Sequence, residues 1–331
     1  MEKIDFVVTY LDSTDKEWQK ERAYHSGEDF DESLNNEARY RNMDNFQYWF
    51  RAVEKYAPWV NKIHLVTYGH IPEWLNVNHP KLNIVKHEDF IPEKYLPTFA
   101  TQAIELNFDR IPGLSEQFVN FNDDLFLNSP TRPEDFFYKG FPVLQMMHTP
   151  ILASEAFNVA LFNNMLAVNE AKSPKKRLIT WRNFSLRNGF FALAANLLML
   201  PVLLFFHKFI GFRPDHLTQP FTKTIYRETR EILPERYEFA SKSKFRNSET
   251  ITSWFLLDYL RATAEFYPHN SFKFGKMVPM GAEQDYKKLL ASQMKVLCFN
   301  DGGTEIDFET EKVRLNKELN EKFSKKSEFE K

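Results

Sequence analysis

The first half of the chain alternates short apolar runs with amphipathic stretches of helical period. Ile4-Asp5-Phe6-Val7-Val8-Thr9-Tyr10-Leu11 is rich in β-formers and stops at Asp12. From Asn45 to Tyr56, Phe46, Phe50 and Val53 recur at i, i+4 and i+7, which predicts a helix that Pro58 ends. Lys62–Thr67, Leu82–Val85 and Gln117–Phe121 read as further strands. Between the last two, Thr98 to Arg110 predicts a helix closed by Pro112-Gly113. Strand–helix alternation of this kind predicts an α/β layer with a mostly parallel sheet.

The second half is more helical. Phe221–Leu233 and Glu249–Phe266 have helical spacing, the latter with Ile251, Phe255, Leu256 and Tyr259 on one face. Lys295–Phe299 predicts one more strand, broken at Asn300-Asp301-Gly302-Gly303 before a charged helix from about 307 to 323.

In parallel sheets, ligands bind beyond the carboxyl ends of the strands. Asp12 sits at one such end and Asn122-Asp123-Asp124 at another. Adjacent carboxylates repel each other, but they suit a hard divalent cation bridging phosphate oxygens; a solvated turn is the alternative. Phe299-Asn300-Asp301 repeats the Phe121-Asn122-Asp123 layout, so both strands are expected to run into one site. Arg39, Arg41 and Arg51 surround a helix start, and guanidinium forks suit phosphate. The alternative for them is a surface cluster paired with Glu37 and Asp44. His216 lies on no apolar stripe and is of the residue type that moves protons near neutrality, although single histidines are commonly structural.

Of the residues, 43% are apolar and 27% charged, which excludes a disordered chain. A single cysteine, Cys298, excludes a disulfide framework and suits a reducing compartment. No secretory h-region follows Met1, so a cytoplasmic location is expected. The net charge of −2 argues against nucleic-acid binding, yet it hides an asymmetry. Residues 171–214 carry eight basic side chains (Lys172, Lys175, Lys176, Arg177, Arg182, Arg187, Lys208, Arg213) and no acidic one. Within that block, Phe190–Phe206 is uncharged and strongly apolar, but shorter than the roughly 20 residues of a membrane span. A segment lying on an anionic leaflet is the expectation, against a buried hairpin of core helices.

Several of these stretches together resemble the Stealth family. Ile4–Asp12 is similar to its first conserved region. Its second is matched by Arg39–Trp59, Ile71-Pro72-Glu73-Trp74-Leu75-Asn76, Leu96-Pro97-Thr98-Phe99, Ala103-Ile104-Glu105, Arg110–Leu114 and Asn122-Asp123-Asp124. His216–Arg246, with Lys223 and Phe245-Arg246-Asn247-Ser248, resembles the third. Cys298–Asp301 and Ser327-Glu328-Phe329-Glu330 resemble the fourth. Departures are Leu11-Asp12-Ser13 for the usual Trp-Val-Asp-Gly, Asn42 and Asn45 for frequent acids, and Lys223 for a common arginine, which keeps the charge and loses the fork.

The resemblance implies a sugar-1-phosphate transferase, like the bacterial capsule enzymes and the catalytic subunit of animal GlcNAc-1-phosphotransferase. Such an enzyme passes a sugar with its phosphate from a UDP-sugar to a glycan hydroxyl and releases UMP. The implied fold is a nucleotide-sugar-binding Rossmann-like or GT-A-like α/β sheet flanked by helices, with a helical insert. Its parts are 1–150 (nucleotide-sugar binding), 151–214 (insert, peripheral membrane contact) and 215–331 (helices and closing strand), forming one composite catalytic domain. The implied roles make His216 the general base and place Asp123 and Asp124 on Mg2+ or Mn2+, or on the acceptor. Arg246 and Lys223 would clamp the phosphoryl group. Asp12, Arg39, Arg41, Arg51, Glu105, Asn122, Asn300 and Asp301 would bind substrate. A lipid-linked acceptor at the inner membrane face would give the insert its purpose. A glycosyltransferase releasing UDP and a non-catalytic polysaccharide-binding protein are the rival readings.

Overall fold

The computed structural model describes residues 2–26, 41–152, 154, 156–301 and 306–331. The central sheet uses β1 (Ile4–Tyr10), β2 (Ile63–Thr67), β3 (Leu82–Lys86), β4 (Gln117–Phe121) and β8 (Gln219–Thr222), in the order β3-β2-β1-β4-β8. The first four are parallel and β8 runs antiparallel along the β4 edge. Alternation within β1 distributes the core between the two faces of the sheet. Ile4, Phe6 and Val8 join one hydrophobic cluster with Trp49, Phe50 and Phe121, and Val7 joins the other with Val66, Phe118 and Phe255. Because both faces are covered, the strands read as continuous apolar runs.

Helices α1 (Lys16–His25), α2 (Phe46–Tyr56) and α3 (Thr101–Glu105) belong to the first half. The helix expected over 98–110 is shorter, because Asn107 turns its side-chain N–H back onto the Ala103 carbonyl at 2.8 Å and a single 3-10 turn follows. A small second sheet joins β5 (Leu125–Leu127), β10 (Gly275–Pro279) and β11 (Val296–Asn300) in the order β10-β11-β5. A third sheet holds β6 (Phe137–Tyr138), β7 (Phe141–Leu144) and β9 (Tyr267–Pro268).

The insert contains α4 (Ala156–Glu170) and α5 (Phe190–Phe206). Beyond it come α6 (Lys223–Ile232), α7 (Pro234–Lys242), α8 (Trp254–Thr263), α9 (Ser271–Phe274), α10 (Tyr286–Leu290) and α11 (Phe308–Lys322). The helix expected from Phe221 begins two residues later, since residues 219–222 extend the sheet. Pro220 is tolerated there because β8 is an edge strand. Likewise α8 starts at Trp254, because Asn247, Thr250 and Thr252 spend their side chains on nearby backbone. The three stretches of the chain are interleaved: β8 completes the sheet begun by β1–β4, β11 pairs with β5, and α4 packs on α8.

Helix α5 is no core helix. Phe190, Phe191, Leu197, Leu198, Leu204, Phe205 and Phe206 are exposed, and only Ala192, Asn196 and Leu203 are buried. Asn196 fastens it, accepting from His148 N–H at 2.8 Å and donating to the carbonyls of Met146 and Asn183 at 2.9 and 2.7 Å. Among the described residues, no helix is long and apolar enough to cross a membrane.

Candidate active site

The strand order reverses between β1 and β4, which opens a crevice at their carboxyl ends. Tyr10 closes β1 there, stacked on Phe46 with ring centroids 5.1 Å apart. Burial, followed by the charges of Asp12, Asp123 and Asp44, pushes the Tyr10 phenol up to about 12. Three carboxylates from distant stretches of sequence therefore crowd one hydroxyl. Asp12 is held by an N–H bond to His70 Nδ1 (3.1 Å), and its Oδ1 accepts from Thr14 N and Oγ1 at 2.9 and 2.7 Å.

Beyond β4, Asn122-Asp123-Asp124 turns into β5, closed by Leu125 N–H on the Asn122 carbonyl at 3.1 Å. Asp123 reaches solvent but is crowded by protein. Burial, then the neighbouring Asp124 charge, raises its carboxyl to about 7, against the pull of backbone N–H groups and Arg246.

The two oxygens of Asp124 differ. Oδ2 accepts from Cys298 Sγ at 3.2 Å and Asn300 Nδ2 at 3.5 Å, and lies 3.8 Å from His216 Nε2. Oδ1 is buried with no hydrogen-bond partner among the described residues. The Cys298 thiol is pushed well up by burial and by Asp124, so it stays protonated and donates. This leaves the Asp124 carboxylate and the His216 ring nitrogen as the available donors, and the carboxylate suits a hard cation such as Mg2+ or Mn2+. Asp124, His216 and Cys298 form a compact group. The two Asn-Asp turns expected to share a site do meet, with Phe299 N–H donating to the Asp124 carbonyl at 2.9 Å.

Arg41 reaches the same mouth, 3.5 Å from Asp301 Oδ2 and over the Phe308 ring. Arg246 donates to Thr101 Oγ1 at 3.1 Å, and its charge acts on both Asp123 and Glu105. Glu105 lies beneath, buried, accepting from Ser253 Oγ at 2.5 Å, with its carboxyl raised by burial against those bonds and the charges of Arg246 and His216. It lies within range of the charges of the arginine and the histidine, and is too enclosed for the substrate contact expected of it.

Two further expectations need correction. Lys223 follows β8, which runs antiparallel to β4, so it emerges beside Glu116, whose carbonyl accepts its N–H at 2.9 Å. About 20 Å of strand, at ~3.3 Å per residue, separates it from Asp123. It is no phosphoryl clamp. Arg51 is committed elsewhere, donating to both oxygens of Glu330 at 2.7 Å and to the Phe323 carbonyl. It clasps the closing segment, where Phe329 packs on Phe50 and His79, and does not hold a nucleotide. Arg39 lies outside the described residues.

Sequence reasoning passed over Asn120, Ser253 and Trp254. Asn120 had a legible signal, a polar residue inside the fully buried run Gln117–Phe121. It donates to Gln219 Oε1 at 3.3 Å and bonds Glu105. Trp254 had none. It stands 6.1 Å, ring to ring, from His216.

Fold and site thus define an α/β protein whose parallel sheet carries an acidic, histidine- and arginine-lined cleft at its switch point. Residues 39–143 match the model of Stealth protein CR2, conserved region 2. The chain is similar to the capsular polysaccharide phosphotransferase WcwK of Streptococcus pneumoniae, at 40% identity over 99% of both chains. It is also similar to the exopolysaccharide phosphotransferase cps2G of Lactiplantibacillus plantarum, at 36% over 99% of this chain and 96% of the relative. The receptor polysaccharide phosphotransferase WefC of Streptococcus gordonii is 37% identical over 100% and 99%. A solved galactosyltransferase, LgtC, in complex with donor and acceptor sugar analogues, superposes with a TM-score of 0.43 at 9% identity over 98% of each chain. The chain belongs to the Stealth family, and it is an enzyme, a phosphotransferase.

Proposed function

We propose that the protein transfers a hexose- or N-acetylhexosamine-1-phosphate from a UDP-sugar to a glycan hydroxyl in capsule or exopolysaccharide synthesis, releasing UMP. The single observation that carries this reading is the convergence of Asp123, Asp124, His216, Arg246, Arg41 and Asp301 on one cleft, in a chain whose relatives are named polysaccharide phosphotransferases.

The acceptor hydroxyl attacks the phosphorus next to the sugar. A new P–O bond forms, the bond to the bridging oxygen breaks, and UMP leaves with that oxygen. His216 takes the hydroxyl proton, and Asp124 Oδ2 at 3.8 Å stabilises the imidazolium that results. Arg246, fixed by Thr101 and the buried Glu105, meets the equatorial phosphoryl oxygens. Arg41, Asp12 and Asn122 line the nucleotide side, and Asn300 and Asp301 close the cleft opposite. Asp124 Oδ1, with Asp123 beside it, is where Mg2+ or Mn2+ would be held. Such an ion, when bound, neutralises diphosphate charge.

The direct test is product analysis with UDP-sugars and a glycan acceptor. UMP is expected. UDP would indicate ordinary glycosyl transfer, and no turnover with any nucleotide sugar would favour a polysaccharide-binding protein.

The acceptor on this reading is lipid-linked, and α5 rests on the inner face of the cell membrane. Its exposed apolar side chains support this, with Arg187, His207 and Lys208 exposed at its two ends. Four of the other basic residues serve the protein itself: Lys175 pairs with Glu228 and Glu265, Lys176 caps α4, Arg182 bonds the Phe266 carbonyl, and Arg213 pairs with Asp215. The test therefore changes Phe205 and Phe206 to Ser together with Arg187 and Lys208 to Glu. Loss of sedimentation with phosphatidylglycerol vesicles is expected, and undiminished binding sinks the idea.

A further inference from the structure

We infer that Trp254 and Phe157 form an acceptor subsite, which takes a pyranose ring against the indole face. The inference rests on the proposed reading, in which an acceptor hydroxyl is activated at His216. A hydroxyl that gives its proton to that histidine lies about 3 Å from a ring nitrogen. The sugar bearing it then comes within contact of any aromatic surface beside the imidazole. Trp254 is such a surface, 6.1 Å from His216 between ring centroids and inclined at 41°.

Phe157 stands edge-on to the same indole, 6.1 Å away at 88°, and is 43% exposed at the start of α4. Two rings at right angles make a corner beside His216, exposed at Phe157 and half-buried at Trp254. The apolar C–H face of a pyranose fits such a plate, and its hydroxyls remain free for polar partners. Among the described residues, the indole N–H of half-buried Trp254 has no hydrogen-bond partner, so a donor stands ready at the rim of that plate.

The corner is rigidly built. Thr252 exchanges two bonds of 2.9 Å with Asn164 of α4, and its hydroxyl accepts from Trp254 N–H at 3.3 Å. Ser253, between them, is tied to Glu105. The backbone that carries the indole is thus tied, through Ser253, to the same buried Glu105 whose carboxyl feels the charges of Arg246 and His216. An aromatic on a backbone held this way, packed between the Phe157 and His216 rings, costs little entropy when a ligand stacks on it.

The experiment measures KM for both substrates and saturation-transfer NMR with three probes: methyl β-glucoside, methyl β-galactoside and methyl β-N-acetylglucosaminide. In Trp254→Ala, the KM for acceptor glycoside should rise about tenfold while the KM for the UDP-sugar stays put. Trp254→Phe should restore most of the loss. Saturation transfer to the ring C–H protons should be present in the parent and the Phe variant and absent in the Ala variant. Phe157→Ala should show a smaller rise of the same kind. Equal rises in both KM values, a fall in kcat alone, or no saturation transfer to any of the three glycosides would overturn the subsite. Release of UDP by the parent overturns the phosphoryl-transfer reading instead, and the KM split still decides the subsite, since glycosyl transfer needs an acceptor sugar too.

Discussion

The two ends of the β1–β4 pair carry aspartates in opposite conditions. At the amino end, Asp5 is fully buried and fully satisfied: Oδ1 accepts from Asn61 Nδ2 (2.6 Å) and Lys62 N (3.1 Å), and Oδ2 from Ser115 N (2.7 Å). The Asn83 amide donates to His64 Nδ1 at 2.9 Å, which leaves Nε2 carrying the proton that goes to Asp5 Oδ2 at 3.1 Å. Burial would raise the Asp5 carboxyl, but the bonds from His64, Asn61 and Ser115 more than offset it, and it sits below its ordinary 3.8. At the carboxyl end, Asp123 is raised to about 7 and Asp124 keeps a buried oxygen without a partner among the described residues. The same residue type, in β1 and just beyond β4, is a staple where donors converge and, on the proposed reading, a reactive group where fewer donors reach it.

Substitutions break this comparison most sharply. Asp124→Asn or His216→Ala should lower kcat by about 10²–10⁴-fold with the melting temperature held or raised. Near-normal turnover would remove these residues from the chemistry. Asp5→Ala should do the reverse, lowering stability by about 3 kcal/mol or more, because four donors, the buried His64 among them, lose their acceptor, with kcat per folded molecule unchanged. Urea denaturation checks it. Breaking the Arg51–Glu330 clasp by Glu330→Gln should cost a similar amount, as an uncompensated buried guanidinium does, without a selective rise in donor KM.

The pH dependences should also separate. Asp5 has a depressed folded value, so its contribution is full above the unfolded pKa near 3.8 and is lost as pH falls below it. A stability profile that is flat down through that range in the parent would contradict it. Asp123, raised to about 7, should shape the acidic limb of kcat/KM, with activity rising as it ionises and the limb flattened in Asp123→Asn. The smallest effect is expected at Lys223, where Ala should leave kcat and both KM values within about twofold, since the side chain lies at the stapled end of the sheet.

Much of this was legible from residue order. The four parallel strands and β11 fall within a residue or two of their expected positions, because strands buried on both faces are mainly apolar and end where polar turns begin. The carboxylates at those ends marked the cleft, because a parallel sheet presents its crevice there. β8 was hidden, because Gln-Pro-Phe-Thr has no strand pattern and is held by pairing with β4 and by the packing of Phe221 on Phe118 and Tyr226. Arg51 and Lys223 were misplaced for one reason: charge and spacing identify a cation without saying which anion, or which end of a strand, it will meet.

Local sequence by itself therefore determined the strand set, the acidic turns and the uncharged segment of α5, since each depends on period, propensity and polarity within a few residues. Tertiary structure decided which carboxylate is satisfied and which is raised by its surroundings, and which of the insert's basic residues are already paired. It also placed an indole beside His216. These depend on partners brought together from across the chain, at distances of a few ångströms that no spacing along the sequence encodes.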